Sequence, residues 1–218
     1  MKTHSKNIQT SIMMGIILCG GKSTRMGSDK GLLVKDEKIW AQHIAELFIQ
    51  LKMPFVVSCR TEQFNDYEKY FSHEILVTDK ISKVEKNNSS LTPSFTPALD
   101  GPLNGIMSVH TNFTDKDLLV LACDMILMSV PVLENLISEY ETNPDNDIWC
   151  YRINENTFVE PLCAIYSKKI LKKLSDDIKS GKEMRHRLQH LVRSCHAHII
   201  ATNDNFAFSN FNFKDNRQ

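Results

Sequence analysis

An apolar segment that runs directly into a glycine pair constrains the fold of this chain more than any other feature. Ile16, Ile17 and Leu18 have the composition of a buried strand in a parallel sheet. Gly20 and Gly21 follow, and because glycine carries no Cβ the chain can turn sharply there with its backbone N–H groups facing an anion. We therefore predict a central strand, a tight turn and an anion-binding site in direct succession.

Cationic and hydroxyl side chains follow the glycine pair. Ser23 can donate a hydroxyl hydrogen bond, Arg25 supplies a bidentate guanidinium and Lys30 supplies a compact ammonium. All three groups suit phosphate oxygens. An ordinary strand-to-helix turn with surface charges is the alternative, but the continuous run from Arg25 to Lys30 favours a loop that binds phosphate.

Two well-known phosphate loops do not fit this segment. A Walker A loop needs glycine five residues before its Gly-Lys-Ser/Thr end; Gly21, Lys22 and Ser23 match that end, but the earlier position is Ile16. The dinucleotide fingerprint Gly-x-Gly-x-x-Gly fails as well, because the glycines of the pair are adjacent. The loop therefore belongs to another class of phosphate site.

The composition limits the classes of function. The chain has 218 residues, which suits one domain with a large core. Lysine plus arginine number 26, as do aspartate plus glutamate, so no net charge draws the protein onto nucleic acid or a membrane. Without an apolar stretch typical of a signal peptide or a membrane span, we expect a cytoplasmic protein. The six cysteines show no C-x-x-C spacing, which indicates reduced, mostly buried side chains.

Strand-like and helix-like segments alternate along the chain. This alternation predicts an α/β fold: a single-domain, Rossmann-like structure over residues 1–218, with a mostly parallel central sheet and helices on both faces. The segment from Asp117 to Asp124 is the most apolar strand and is expected at the centre of the sheet. In such folds the binding crevice lies at the carboxyl ends of the strands, where Leu18, Asp79 and Asp124 fall.

Two segments are predicted to lie outside this alternation. Residues 1–12 form a polar N-terminal tail. Residues 80–99 are rich in Lys, Asn, Ser, Thr and Pro, and contain too few large apolar side chains to form a packed element. We predict a mobile loop there. Since the loop borders the expected site, it is either a lid or a solvated insertion without a role.

Two aspartates are candidate ligands at the strand ends. Asp124 follows the most apolar strand, and Mg²⁺ prefers one or two carboxylates together with substrate phosphate oxygens and water. Asp79 follows another strand and can bind the metal, a base or a ribose hydroxyl. Each aspartate alone is equally consistent with capping the next helix. Two of them beside a phosphate loop favour a binding role.

These motifs resemble those of the molybdenum cofactor guanylyltransferases, the MobA type, a branch of the nucleotidyltransferases. The resemblance covers nearly the whole chain. The family signature Leu-Ala-Gly-Gly-x-Ser/x-x-Arg-Met-Gly-x-Asp-Lys reads LCGGKSTRMGSDK from Leu18 to Lys30, with Cys19 in place of alanine. Further matches are Asp79 after a strand, Gly101-Pro102-Leu103-x-Gly105-Ile106, Cys123-Asp124, Glu160-Pro161-Leu162-x-Ala164-x-Tyr166 and Asn210-x-Asn212.

The resemblance implies the nucleotidyltransferase fold, GTP as donor and the phosphate of molybdopterin as acceptor. It implies Mg²⁺ as cofactor, with Asp124 as its ligand, and it leaves molybdoenzymes or their chaperones as candidate protein partners. Arg25, Lys30 and Asp124 would be catalytic. The residues expected to contact the nucleotide and its metal are Leu18, Cys19, Gly20, Gly21, Ser23, Lys30, Arg60, Asp79, Gly101 and Asp124.

Two departures from the family pattern keep alternatives open. The family's Cys-Asp-x-Pro reads Cys123-Asp124-Met125-Ile126, and the C-terminal Asn-x-Asn-Thr-Pro-Glu/Asp continues here as Phe213-Lys214-Asp215 after Asn212. A non-catalytic protein that binds GTP or the pterin is therefore one alternative. A cytidylyltransferase that acts on the same cofactor is the other, because the contacts to the base cannot be read from the sequence.

Overall fold

The computed structural model describes residues 12–20, 29–79, 99, 101–153, 158–180, 188–202, 204 and 206–208. Its strands are β1 (Met13–Leu18), β2 (Val34–Lys35), β3 (Lys38–Ile39), β4 (Phe55–Cys59), β5 (Leu76–Thr78), β6 (Asp117–Ala122), β7 (Ile148–Ile153), β8 (Val159–Tyr166) and β9 (Ala197–Thr202). Its α-helices are α1 (Trp40–Gln50), α2 (Phe64–Tyr67), α3 (Pro102–Asn112), α4 (Val130–Thr142), α5 (Lys168–Lys179) and α6 (Leu188–Ser194).

Seven strands form the central sheet, in the order β5-β4-β1-β6-β8-β7-β9. Every pairing is parallel except those of β8, which runs antiparallel to both β6 and β7. The predicted mostly parallel sheet is confirmed. Strand β6 occupies the middle of the sheet and all six of its residues are buried, as its apolar sequence predicts.

Two layers of core cover the faces of the sheet. Alternate residues of each strand point to opposite faces, so Ile17 and Leu121 lie in one apolar cluster while Ile16 and Val120 lie in the other. Helices α1 and α4 supply side chains to the first cluster. Helices α3, α5 and α6 supply side chains to the second. The prediction of helices on both faces is confirmed.

Short elements between β1 and β5 differ from the sequence reading. The helical periodicity from Lys38 onward predicts a helix from that residue, but Lys38 and Ile39 form β3 and the helix begins at Trp40. Strands β2 and β3 pair as a small hairpin outside the main sheet. The polar helical stretch expected near residues 62–71 is a single 3₁₀ turn, Thr61–Gln63, followed by the one-turn helix α2.

Three further expectations concern the cysteines, membrane-spanning helices, and the segments 1–12 and 80–99. All six cysteines are free thiols, and five of them are buried. No helix among the described residues has the length and hydropathy needed to cross a membrane. The predicted tail over 1–12 and the loop over 80–99 lie outside the described residues, apart from Ile12 and Leu99.

Candidate active site

The carboxyl ends of four parallel strands, β5, β4, β1 and β6, meet at one edge of the sheet. Backbone pairing continues past the strands there: Cys19 N–H donates to Ser58 O over 2.8 Å, and Cys123 N–H donates to Leu18 O over 3.1 Å. Asp79 N–H likewise donates to the carbonyl of Cys59 over 2.8 Å. These bonds hold the start of the glycine turn between the segments that carry Asp79 and Asp124.

Lys30 and Asp124 contact each other at this edge. Lys30 Nζ lies 2.9 Å from Asp124 Oδ2, although the two residues are 94 positions apart in the sequence. The lysine side chain is 27% exposed and the aspartate side chain 19% exposed, so solvent screens the pair only in part. The structure thus unites two of the three residues predicted to be catalytic. The third, Arg25, lies outside the described residues, as do Gly21 and Ser23.

Asp79 occupies a second position, against Gly20. It is 6% exposed, and Ser58 Oγ donates a 2.9 Å hydrogen bond to its Oδ1. A Cβ built on Gly20 would lie 2.6 Å from Asp79 Oδ2 and 3.6 Å from Arg60 Cγ, so these three residues are neighbours. Burial raises the pKa of Asp79 above its ordinary value, while the Ser58 hydrogen bond and the charge of Arg60 act in the opposite direction.

Arg60 follows β4 and borders the same position. Its Nη1 forms a 2.9 Å ion pair with Glu62, and the side chain is 28% exposed. Its Nε is buried and has no hydrogen-bond partner among the described residues. The guanidinium therefore retains donor capacity next to Gly20 and Asp79.

The first turn of α3 packs against these residues. Gly101, at a φ of 71°, precedes the helix, and Pro102 occupies its first position. A Cβ on Gly105 would lie 2.7 Å from Ser58 Oγ and 3.3 Å from Asp79 Oδ1. The predicted site residues Leu18, Cys19, Gly20, Arg60 and Asp79 thus form one group, with the helix that follows Gly101 packed on it.

A hydrogen-bonded network that the sequence analysis missed surrounds Asp29. Its Oδ1 accepts from Tyr67 Oη over 2.9 Å and from Gly31 N–H over 3.0 Å, and its Oδ2 accepts from Gln63 Nε2 over 2.6 Å. Burial raises the pKa of Asp29, while the hydrogen bond from Tyr67 has the opposite effect. Only Asp29 carried a signal in the sequence, through its place in the phosphate-loop motif.

Glu160 is a second acidic group near Asp124 that sequence reasoning left without a role. The antiparallel register pairs Leu121 with Cys163, so the first residues of β8 lie at the edge that contains Asp124. Burial raises the pKa of Glu160, the hydrogen bond from Leu162 N–H opposes this, and the negative charge of Asp124 adds a smaller upward shift. The signal was its place in the Glu160-Pro161-Leu162 motif.

The turn after Asp124 is ordered without the family's proline. Met125 N–H donates to Ala122 O over 3.2 Å, and Met128 N–H donates to Met125 O over 2.9 Å. Met125 and Met128 are 2% and 6% exposed, so both side chains anchor the turn in the core. Ile126 therefore replaces the proline in a turn that hydrogen bonds and buried methionines already fix.

The carboxylate of Asp124 suits magnesium better than a metal ion that several protein side chains must coordinate. No group of three or more His, Cys, Asp or Glu side chains in the described part of the chain is arranged to hold a metal ion. Asp124 is a single carboxylate whose Oδ1 has no partner among those residues. One carboxylate completed by phosphate oxygens and water is a usual magnesium environment, so the residues present fit this ion.

Comparisons with known proteins agree with this geometry. A family model described as "MobA-like NTP transferase domain" matches residues 15–198. A "probable molybdenum cofactor guanylyltransferase" from Flavobacterium johnsoniae is 27% identical over 203 residues, which are 91% of each chain. A protein of the same description from Methanosarcina mazei is 30% identical over 183 residues, 83% of this chain and 75% of that protein.

A solved structure shares the fold. The "Molybdopterin-guanine dinucleotide biosynthesis protein A" from Archaeoglobus fulgidus superposes with a TM-score of 0.67 at 21% identity, and the match covers 93% of this chain and 94% of the other. At this identity the likeness shows the architecture: a single domain built on a mostly parallel sheet with helices on both faces.

Proposed function

The chain belongs to the MobA-like NTP transferase family, and we propose from this membership that it transfers GMP from GTP to the phosphate of molybdopterin and releases pyrophosphate. The product is the guanine dinucleotide form of the molybdenum cofactor, or of its metal-free precursor. Relatives described as probable molybdenum cofactor guanylyltransferases, matched over most of the chain, support this assignment. We place the reaction in the cytoplasm.

The contact between Lys30 and Asp124 is the observation that carries the proposal. It brings an ammonium and a carboxylate together at the carboxyl edge of the sheet, beside the backbone where the glycine turn begins. A nucleoside triphosphate needs this combination, because its phosphates require a cation and its metal requires a carboxylate. A protein that only bound the pterin phosphate would use the cation, whereas a carboxylate beside that cation suits a triphosphate that carries a metal ion.

The reaction needs no nucleophile from the protein. A phosphate oxygen of molybdopterin attacks the α-phosphorus of GTP, a new P–O bond forms, and the bond from the α-phosphorus to the bridging oxygen breaks so that pyrophosphate leaves with the electron pair. Both reactants are anions. Lys30 and Arg25 would bind the phosphates and reduce their repulsion, and the N–H groups from Cys19 to Ser23 would orient them.

Asp124 would hold a magnesium ion. When bound, this ion supplies positive charge to the triphosphate and to the leaving pyrophosphate. Because Lys30 contacts Asp124 Oδ2, the carboxylate would offer the ion either Oδ1, which has no partner among the described residues, or Oδ2 once the ammonium has moved to a phosphate.

The nucleoside would bind on the opposite side of the glycine turn. Strands β5 and β6 are separated by β4 and β1, which corresponds to about 14 Å at ~4.8 Å per strand. A nucleotide laid across β1 would therefore place its phosphates at Asp124 and its base or ribose at Asp79. The Asp79 carboxylate can accept the N1–H and amino donors of guanine, and Arg60 borders the same position.

The test is an assay of pyrophosphate release with purified molybdopterin and each nucleotide, followed by mass spectrometry of the pterin product. Release that requires both GTP and molybdopterin, with a guanine dinucleotide as product, supports the proposal. Release with CTP instead identifies a cytidylyltransferase. Binding of GTP or pterin without any release identifies a non-catalytic carrier or sensor.

A further inference from the structure

We propose that Tyr67 and Gln63 are positioning residues that fix Lys30 through Asp29, so that the lysine is aligned with the phosphates in the transition state. Neither side chain belongs to the phosphate-loop motif. The inference rests on the proposed function in one respect only, namely that Lys30 binds the triphosphate.

The Asp29 side chain fixes the start of the turn that carries Lys30. Residues Lys30–Leu32 form a single 3₁₀ turn, and Asp29 is its N-cap, with Oδ1 accepting from Gly31 N–H. Lys30 lies between the capping carboxylate and the N–H that this carboxylate binds. Any rotation of the Asp29 side chain therefore moves the backbone from which Lys30 reaches Asp124.

Tyr67 holds that carboxylate from the core. It is fully buried, and its hydroxyl donates to the same Asp29 oxygen that binds Gly31 N–H. A Cβ built on Gly31 would lie 2.2 Å from Tyr67 Oη, so the phenol lies directly against the backbone that follows Lys30. Only a residue without a side chain allows this approach.

Gln63 connects the phosphate-binding segment to the nucleoside side of the site. It is 5% exposed and uses both ends of its amide: Oε1 accepts from Arg60 N–H over 2.8 Å and Nε2 donates to Asp29 Oδ2 over 2.6 Å. One buried side chain thus links the segment of Arg60 to that of Lys30. The Gln63 amide therefore couples the backbone at Arg60 to the carboxylate that caps the turn of Lys30.

Neutral groups supply the hydrogen bonds of the Asp29 carboxylate among the described residues, and the charge of Arg60 acts on it without a close ion pair. The described lysines, arginines and histidines form no ion pair with it, and its three donors come from a tyrosine, a glutamine and a backbone N–H. A half-buried carboxylate held only by neutral donors is costly to maintain. Orientation of the residue next to it explains why the chain keeps it.

A double-mutant cycle tests the proposal. Tyr67→Phe keeps the ring and removes one hydrogen bond, and we expect kcat to fall about tenfold with the KM for GTP nearly unchanged, because slight misalignment of a catalytic group reduces rate more than binding. In a Lys30→Ala background the same change should have less than about twofold effect, since a residue that acts only through Lys30 has nothing left to position.

Equal factors in both backgrounds, or an unchanged kcat in the single variant, would overturn the proposal. Tyr70→Phe is the matched control, because Tyr70 is 46% exposed and lies just beyond α2. Gln63→Met provides a second variant if the Tyr67 variant unfolds, and thermal unfolding monitors both.

A readout without nucleotide separates this inference from the proposed function. The rate at which an amine-reactive reagent modifies Lys30, measured by peptide mass spectrometry, should rise several-fold in Tyr67→Phe and stay constant in Tyr70→Phe. No rise in Tyr67→Phe refutes the positioning role even if the enzyme is active. A rise together with absent transfer in the unmodified protein refutes the proposed function alone.

Discussion

Lys30 Nζ donates a hydrogen bond to Asp124 Oδ2 over 2.9 Å, so the residue expected to bind phosphate contacts the residue expected to bind metal. Two cations cannot occupy the same face of one carboxylate oxygen at short range, because they repel each other. Metal binding at this oxygen must therefore displace the ammonium, and the triphosphate offers the ammonium another partner. Binding of metal and nucleotide should be mutually reinforcing.

Replacement of Lys30 should strengthen metal binding and slow the transfer reaction. We expect Lys30→Met to bind Mn²⁺ about fivefold more tightly in the absence of GTP, the factor that corresponds to ~1 kcal/mol for a released ion pair. The transfer rate should fall about 10²-fold, because a charge that stabilises the leaving pyrophosphate is lost. Electron paramagnetic resonance titration of Mn²⁺ measures the first effect.

Lys38→Met is the control for this experiment, since Lys38 lies outside the site and pairs with Glu46 at the surface. Unchanged or weaker Mn²⁺ affinity in Lys30→Met would show that the two cations do not compete. An unchanged transfer rate would reduce Lys30 to a surface charge.

Replacement of Asp124 should abolish metal-dependent transfer and preserve the fold. Asp124→Asn removes the negative charge but retains the size of the side chain and one carbonyl oxygen. We expect most transfer to be lost and excess magnesium not to restore it, with an unchanged circular dichroism spectrum. Asp115→Asn, at a side chain that is 74% exposed, is the control. Turnover close to normal in Asp124→Asn would exclude it as the metal ligand.

The ionised carboxylate of Asp79 should lower the free energy of unfolding at neutral pH. Burial raises its pKa in the folded state, so its ionisation disfavours folding. The cost is absent below the unfolded-state pKa of about 3.9 and accumulates as the pH rises through the folded-state pKa. Asp79→Asn should therefore unfold at a higher temperature than the unmodified protein at pH 7, with the difference shrinking toward pH 4, and should bind GTP more weakly.

Calorimetry at pH 4 and pH 7 measures the difference in unfolding temperature between Asp79→Asn and the unmodified protein. All other carboxyl groups are common to both proteins, so this difference reports Asp79. A variant that is less stable by the same amount at both pH values would contradict this account.

Gly31 should be required for a stable fold, because Tyr67 Oη lies so close to it that a larger residue would clash. Gly31→Ala places a methyl group 2.2 Å from Tyr67 Oη and 3.2 Å from Cys19 Sγ, and we expect it to destabilise the fold by about 1–3 kcal/mol, as overpacking usually does. Tyr67→Phe in the same chain should recover part of this loss by removing the oxygen. Urea unfolding of both single variants and the double variant gives the values, and strictly additive losses would argue against the clash.

The sequence predicts the parts of this molecule that local pattern controls. Strands β1, β4 and β6 carry continuous apolar runs, and the phosphate loop carries a spaced motif. Each of them can therefore be located in the sequence to within a few residues. Strand β8 has no such signal for its direction, because a strand buried on both faces has the same pattern in parallel and antiparallel pairing. Strands β2 and β3 have two residues each, too few for any periodicity.

The hydrogen bonds that hold Asp29 could not be predicted from the sequence, for a different reason. Gln63 and Tyr67 reach Asp29 across 34 and 38 positions of the sequence. Hydrogen bonds between distant side chains leave no spacing that a single sequence reveals. The roles of Arg25, Lys30 and Asp124 in catalysis remain predictions, although the structure brings Lys30 and Asp124 together.

Competition between nucleotides is the sharpest test of GMP transfer by this protein. Purified protein is incubated with molybdopterin, magnesium and equal concentrations of GTP, CTP and ATP, and the dinucleotide products are quantified by mass spectrometry. A site whose acceptors pair with the N1–H and amino donors of guanine leaves them unsatisfied with the other bases, at about 1–3 kcal/mol per buried group. We expect the guanine dinucleotide to exceed each other product at least about tenfold; equal amounts, or a majority of the cytosine dinucleotide, would refute a guanine-selective site.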